Sequence, residues 1–306
     1  MNSHLQKVWT PPFNTPSCTP EKDLSTVDFF VGPPREIGEL TCVDGTPSKQ
    51  KSGKSLFAGI AVLVALSVTI TLISFSLAPS IYTLAISGGL CTLLSAALIY
   101  EDKVYCYFVG KIGVCESSAR LCIPGKPQTK ILLFNKAAAL FVTKIHQHTN
   151  GIYAGTSYKY VWTLTDKTKF VVEGYYYGEK KKRGGKDKYC FAESAESAWT
   201  KHLLQIVDEQ FEENEYVDFP MSEKPEKNKI QTIRMRKGNL EFFLKKGGSQ
   251  VVDISDFKQA SLHGGFITFK HKDAQWWSGN GSFSFNYALV PNAYLFLICL
   301  NRIAGF

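Results

Sequence analysis

The longest pattern along the chain is an uncharged run. Residues 55–100 contain no Asp, Glu, Lys or Arg over 46 positions, and Pro79 is the only proline among them. About 20 apolar residues, at a rise of about 1.5 Å each, cross the ~30 Å hydrocarbon core of a bilayer once. The run therefore predicts a two-helix transmembrane hairpin over residues 55–101, with helices at 56–77 and 80–100.

Two other structures fit the same run. A pair of buried core helices is disfavoured, because core helices normally keep a polar face. A hairpin that enters one leaflet and returns stays open, because no charge in the turn would hold it at the far headgroups. The basic residues that flank the run are Lys49, Lys51, Lys54 and Lys103. Since Lys and Arg mark cytoplasmic segments, we expect a two-pass integral membrane protein with both termini in the cytoplasm.

The segment before the run is predicted to be a disordered tail over residues 1–54. It holds seven of the thirteen prolines and no sustained apolar period. Such a segment buries too little apolar surface to offset its ordering entropy. The tail carries six basic and six acidic residues, so the net charge of +8 belongs to residues 101–306.

After the run, short stretches rich in β-branched and aromatic residues predict strands. Five of them precede an amphipathic helix at 192–211, and they lie at 104–109, 130–134, 140–145, 158–165 and 169–175. Five more precede an apolar helix at 292–303, and they lie at 230–236, 240–245, 250–254, 266–271 and 282–287. The pattern predicts two modules, 103–214 and 228–306, separated by a polar break.

The second module ends in a distinctive motif, Pro291-Asn292-Ala293-Tyr294-Leu295-Phe296-Leu297, which follows Asp253-Ile254-Ser255-Asp256-Phe257 and residues 265–270. This arrangement resembles a family of uncharacterised membrane-anchored proteins with a transmembrane hairpin followed by tandem PH-like domains. The resemblance covers about residues 56–306. It implies an α+β fold, in which an N-terminal two-helix transmembrane hairpin is followed by two strand-rich PH-like modules, each closed by a C-terminal helix. It implies no catalytic residue.

Residues 178–188, called the basic segment below, form the strongest charged pattern. The basic residues are Lys180, Lys181, Lys182, Arg183, Lys186 and Lys188. One interpretation is a solvated loop, and the other is a loop that attracts anionic lipid headgroups. The predicted partners are therefore membrane lipids and a possible protein partner, with no nucleic acid, and the oligomeric state stays open.

Other candidate chemistry is weak. His146 and His148 share a face of a predicted strand, but no third ligand is spaced to complete a metal site. Trp276 and Trp277 predict either half-buried turn residues or an aromatic anchor. The eight cysteines show no CxxC spacing and are predicted to be free thiols. Since no catalytic motif occurs, we predict no enzyme, no metal and no cofactor.

Three functions are compatible with these patterns. The first is an integral membrane adaptor whose cytosol-facing PH-like modules bind anionic lipid headgroups or a protein partner. The second is a secreted effector that remodels a host or organelle membrane, because paired apolar lobes behind a Pro-rich tail resemble the inclusion-membrane proteins of intracellular chlamydial bacteria. The third is a membrane-bound enzyme with a site built from scattered residues.

Overall fold

The computed structural model describes residues 29–45, 103–120, 126–176, 188–221, 230–273 and 281–304, together with Val68, Thr69, Leu72, Ile73 and Ser76. Strands account for 53% of these residues. Every sheet in the described part of the chain is antiparallel and joins strands that are consecutive in sequence. Strands β1 and β2 are separated by residues 46–102, whereas the other paired strands are close in sequence, which suits the short, closely spaced strand patterns.

The first half of the fold contains a four-stranded sheet, β1-β2-β3-β4, and a three-stranded sheet, β5-β6-β7. The strands are β1 Leu40–Gly45, β2 Lys103–Gly110, β3 Gly113–Arg120, β4 Gln128–Leu133, β5 Ala137–Thr149, β6 Ile152–Leu164 and β7 Lys169–Tyr176. Helix α1, Tyr189–Asn214, follows this second sheet. Its residues Tyr189, Phe191 and Trp199 pack into the core that the two sheets share.

The second half repeats this order of elements. Its sheets are β11-β10-β9-β8 and β12-β13-β14. The strands are β8 Tyr216–Pro220, β9 Ile230–Arg236, β10 Asn239–Leu244, β11 Ser249–Asp253, β12 Phe257–His263, β13 Phe266–His271 and β14 Ser282–Asn286. Helix α2, Ala293–Cys299, follows and continues into a π-helical turn, Leu300–Ala304.

Helix α1 belongs to both cores. Phe191, Ala195 and Trp199 are buried in the core of the first half. Val207, two turns further along, is buried in the core of the second half. At the usual rise, 26 residues span roughly 39 Å, so one apolar face can reach both cores.

The structure does not bear out the predicted membrane hairpin. In the described part of the chain, no helix is long and apolar enough to cross a membrane. Helix α1 carries charged residues along its length, and α2 has only 7 residues. This finding contradicts the two-helix transmembrane hairpin and the two-pass location with cytoplasmic termini. Most of residues 55–101 lie outside the described residues.

The predicted α+β fold of two PH-like modules, each closed by its own helix, is also wrong. The described residues are mostly β-sheet. Helix α1 does not close a single module, because its apolar face continues into the second core. The helix predicted at 292–303 is α-helical only over Ala293–Cys299, and the rest is the π-helical turn.

Two segments predicted to lack regular structure contribute strands. Within the predicted tail, β1 pairs with β2, with Val43 opposite Phe108. Within the predicted polar break, β8 pairs with β9, with Val217 opposite Met235. Both strands are short, and the residues around them are mostly polar or proline. Their few apolar residues therefore did not produce a recognisable strand pattern. Residues 1–28 and 46–54 of the tail lie outside the described residues.

Candidate functional site

The hairpin of β5 and β6 extends beyond β7. Strand β7 ends at Tyr176, which pairs with Thr156. Strands β5 and β6 continue past this point to the pair Thr149 and Ile152. Residues 145–156, called the hairpin tip below, therefore project from the end of the three-stranded sheet.

Two large apolar side chains are exposed on the hairpin tip. Ile145 is 56% exposed and Ile152 is 74% exposed. Single exposed apolar residues are common on proteins. These two, however, lie at the same projecting end of one sheet, so they can contact a common partner.

The basic segment begins and ends beside the hairpin tip. It starts just after Tyr176, whose partner Thr156 lies at the base of the tip. It ends at Lys188, immediately before Tyr189 begins helix α1. The rings of Tyr176 and Tyr189 pack with centroids 4.5 Å apart, which holds the two ends of the segment together. Residues 177–187 themselves lie outside the described residues.

Lys188 anchors the end of the basic segment. Its Nζ lies 2.5 Å from Oε1 of Glu116, whose side chain is only 10% exposed. The same ammonium lies 5.6 Å from the ring centroid of Tyr105 and 5.9 Å from that of Tyr107. Burial, with the charge of Glu116 as a second cause, raises the pKa of Tyr107 above its usual range, so this phenol stays neutral. The positive charge of Lys188 is therefore paired inside the protein.

A second lysine makes a similar set of contacts nearby. Nζ of Lys144 lies 3.5 Å from Oε1 of Glu193. It also lies 5.6 Å from the ring centroid of Tyr160 and 5.3 Å from that of Tyr189. Lys144 and Lys188 thus each bridge a carboxylate and two tyrosine rings, an arrangement that stabilises a partly desolvated ammonium.

Glu196 lies where the two halves of the fold meet. Burial raises its pKa to about 7, and the charge of Glu193 adds to the effect while Lys144 opposes it. The charge of Glu196 in turn raises the pKa values of Tyr287 and Tyr294, after the larger effect of burial. A carboxyl group with a pKa near 7 changes its charge around neutral pH. For Glu196, this change of charge takes place where the two halves of the fold meet.

Asn292 joins the second half of the fold to the first. Its backbone N–H donates to the Leu140 carbonyl oxygen at 2.8 Å. Its side-chain Oδ1 accepts from the Leu140 N–H and from Nε1 of Trp199, each at 2.9 Å. Asn292 has φ 53°, a left-handed conformation that asparagine tolerates better than most residues. One residue thereby connects β5, α1 and the start of α2.

The structure locates few of the residues singled out in the sequence. Lys188 is found at the start of α1. Lys103 begins β2, opposite Arg120. The predicted residues that lie outside the described part of the chain are Lys49, Lys51, Lys54, Lys180, Lys181, Lys182, Arg183, Lys186, Trp276 and Trp277.

Sequence reasoning missed the acidic partners. Glu116 lies within β3, and Glu193 and Glu196 lie three residues apart in helix α1. The spacing of the two helical glutamates places them on one face and was a usable signal. Their lysine partner comes from a strand 49 residues earlier, so the sequence held no sign of that pairing.

No group of three or more His, Cys, Asp or Glu side chains is placed to hold a metal ion within the described ranges. No protein-family model, curated protein or solved structure matches the chain. The comparisons therefore identify no family, and the resemblance inferred from the terminal motif stays a prediction.

Proposed function

We propose that this protein is a binding protein that attaches to anionic lipid headgroups through its basic segment and hairpin tip. The observation that supports the proposal is that exposed Ile145 and Ile152 lie on the hairpin whose base, at Thr156, pairs with Tyr176 just before the basic segment. A lipid surface attracts basic residues through its anionic headgroups and buries apolar side chains at the boundary between headgroups and acyl chains. Basic residues next to exposed apolar side chains can use both interactions.

The electrostatic part comes from the sequence of the basic segment. Residues 178–188 contain six basic and two acidic residues. Lys188 is paired with Glu116, so the proposal rests on the other five basic residues of the segment. Each Lys or Arg near an anionic lipid surface contributes about 1 kcal/mol, and this attraction weakens as salt is added.

The apolar part comes from the hairpin tip. Burying an isoleucine side chain that is otherwise exposed contributes about 2 kcal/mol. This contribution depends little on ionic strength, in contrast to that of the basic segment. The two contributions can therefore be separated by salt.

The first test measures sedimentation of the full chain with phosphatidylcholine vesicles, with and without phosphatidylserine, at low and high salt. Residues 55–100 are uncharged, so binding to the neutral vesicles gives the background. We expect stronger binding to the anionic vesicles and a loss of this difference at high salt. Equal binding to both kinds of vesicle at low salt would contradict the proposal.

The second test replaces four charges, with Lys180→Gln, Lys181→Gln, Lys182→Gln and Arg183→Gln in one variant. At about 1 kcal/mol for each charge, we expect binding to anionic vesicles to fall at least tenfold. The matched control replaces four exposed lysines of the second half by glutamine: Lys237, Lys245, Lys246 and Lys258. A control that loses as much binding would show that only total charge matters.

The third test addresses the hairpin tip. Ile152→Ser should weaken binding to anionic vesicles about tenfold or more, and the loss should persist at high salt. Val251 of the second half is 62% exposed, so Val251→Ser is the matched control and should bind as the unchanged protein does. Unchanged binding by Ile152→Ser would remove the tip from the proposed surface.

A further inference from the structure

The two histidines of the hairpin tip lie on one face of β5. His146 and His148 are two residues apart on a strand, and their side chains are exposed. The local irregularity in the hairpin lies on β6, where Gln147 pairs with Gly155 and His148 with Tyr153. Strand β5 keeps its regular alternation here, so both imidazoles point to the same side.

One tyrosine lies against both histidine rings. The ring centroid of Tyr153 is 6.1 Å from that of His146 and 5.8 Å from that of His148. Residues i and i+2 of a strand have Cα atoms roughly 6.6 Å apart, and an imidazole reaches several ångströms beyond its Cα. The two rings can therefore converge on one ion at bond lengths of about 2.0–2.1 Å.

A buried threonine orients the first histidine. Nδ1 of His146 lies 2.8 Å from Oγ1 of Thr156, and the hydroxyl of Tyr153 lies 2.6 Å from the same oxygen. Thr156 is fully buried. When Nδ1–H donates to Oγ1 and the Thr156 hydroxyl donates to Tyr153, Nε2 of His146 keeps its lone pair for a metal ion. A hydrogen bond at the other ring nitrogen is how proteins orient histidine ligands.

We propose that His146 and His148 form a two-histidine site for a divalent transition-metal ion of the zinc class. Imidazole nitrogens suit Zn²⁺, Ni²⁺ and Cu²⁺ and not the oxygen-seeking Ca²⁺ and Mg²⁺. Two protein ligands leave the remaining coordination positions to water. The site is a binding activity separate from attachment to lipid headgroups, and it does not depend on that proposal.

The test is a calorimetric titration of the full chain with Zn²⁺ at neutral pH. His146→Ala and His148→Ala should each weaken the tightest Zn²⁺ binding at least tenfold, because the chelate is lost. His263→Ala and His271→Ala are the matched controls and should bind Zn²⁺ as the unchanged protein does. Unaltered stoichiometry and affinity in a variant that lacks both His146 and His148 would overturn the proposal.

A second variant separates metal binding from simple packing of aromatic rings. Thr156→Val keeps both imidazoles and nearly the same volume, but it removes the hydroxyl that orients His146. Loss of such an orienting group typically weakens metal binding 10–100-fold. Unchanged affinity in a variant with an unchanged near-UV circular dichroism spectrum would contradict the role of Thr156.

The pH dependence gives an independent readout. A histidine ligand must be neutral to bind a metal ion, so Zn²⁺ affinity should fall in acidic solution. Mg²⁺ should give no heat at the same concentrations. Binding of Zn²⁺ that stays constant down to acidic pH would show that the ligands are not these histidines.

Discussion

The two four-stranded sheets carry opposite chemistry on the faces that point away from their cores. In the first half, Cys106, Phe108 and Cys115 form a separate apolar cluster with Ile37, and the segment 29–37 before β1 covers it. In the second half, the corresponding face of β9 carries Arg234, whose guanidinium donates to Asp218 at 2.7 and 2.9 Å. The outer face of the first sheet must be covered by another part of the protein. The outer face of the second sheet carries the ion pair of Arg234 and Asp218 at the surface.

The strand sequences explain this difference. Strand β2 (KVYCYFVG) is apolar at successive positions, so both of its faces need burial. Strand β9 (IQTIRMR) alternates, with Ile233 and Met235 buried and Arg234 on the other face. An uninterrupted apolar strand in an antiparallel sheet therefore indicates that another segment of the protein lies over it.

The cover in the first half is tied to the turn between β2 and β3. Ile37 is fully buried, and its carbonyl oxygen accepts from the Ile112 N–H at 3.1 Å. The Lys111 N–H donates to the Glu39 carbonyl oxygen at 2.9 Å. A Cβ at Gly110 would overlap the Ile37 carbonyl oxygen, so only glycine lets the cover approach this closely.

We expect the largest loss of stability from a change at Asn292, through which the second half of the fold hydrogen-bonds to edge strand β5 of the first half. Asn292→Ala leaves the buried Leu140 N–H and Trp199 Nε1–H without their acceptor. At about 1–3 kcal/mol for each buried unsatisfied group, the free energy of unfolding should fall by about 3–5 kcal/mol. Urea unfolding measures this change.

Two variants serve as controls for Asn292. Asn292→Asp keeps an acceptor oxygen and tolerates the left-handed backbone, so it should lose less stability. Asn286→Ala removes one hydrogen bond, to the Ala288 N–H, and should cost about 1 kcal/mol. A loss below about 1 kcal/mol for Asn292→Ala would contradict its role in joining the halves.

The next largest effect is expected from detaching the cover of the first sheet. Gly110→Ala forces the cover away from the turn and should lower the free energy of unfolding by about 2–3 kcal/mol. A Cβ at Gly32 meets nothing within 4 Å, so Gly32→Ala should change stability little. Thermal unfolding of the two variants side by side measures the difference. Similar stability of both would show that residues 29–37 are not needed to bury this face.

The pH dependence of stability tests the junction between the halves. Burial raises the pKa of Glu196 from 4.5 to about 7, so the folded state binds a proton that the unfolded state has released between these pH values. This group therefore lowers stability as the pH rises from 4.5 to 7, and its full cost applies above 7.

Glu196→Gln removes this cost. It should raise the free energy of unfolding by up to about 3 kcal/mol at pH 8 and by almost nothing at pH 4. The exposed Glu209 lies on the same helix, and Glu209→Gln is the matched control that removes a carboxylate away from the junction. Denaturant unfolding at several pH values gives the profile. A gain from Glu196→Gln that is equal at pH 4 and pH 8 would mean that its pKa is not raised.

The smallest effect is expected on the charged face of the second sheet. Arg234 donates two hydrogen bonds to Asp218 and lies 3.9 Å from the ring centroid of Tyr216. Surface ion pairs contribute about 1 kcal/mol or less, and salt weakens them. Arg234→Gln should therefore lower stability by less than Gly110→Ala does, and by less still at high salt. A cost from Arg234→Gln as large as that from Gly110→Ala would show that the two faces do not differ in the way described.

Much of the β-structure was visible in the sequence, and the reason lies in local pattern. The predicted strand at 230–236 coincides with β9 and that at 266–271 with β13, because β-branched and aromatic residues alternate there. Strands β3 (GVCESSAR) and β12 (FKQASLH) were missed. Both strands are largely polar. Strand β3 forms because it hydrogen-bonds to the apolar strands β2 and β4 on either side, and β12 forms because a tight hairpin pairs it with β13.

The candidate sites were less visible than the strands. The His146 and His148 pair was recognised as sharing a face, but the role of Thr156 depends on the register between β5 and β6. Asn292 was noticed as part of a motif, and its bonds to Leu140 and Trp199 span 152 and 93 residues. Such long-range contacts leave no trace in local periodicity.

The positions of most strands and of the long helix, and the concentration of basic residues, follow from side chains that are neighbours along the chain. The pairing of the strands, the residues that cover the first sheet, and the pairing of Glu116 with Lys188 and of Glu193 with Lys144 arise only in the folded protein. The physical reason is that burial and charge pairing depend on residues that are distant in sequence. The free energy of those contacts is available only after the chain has brought them together.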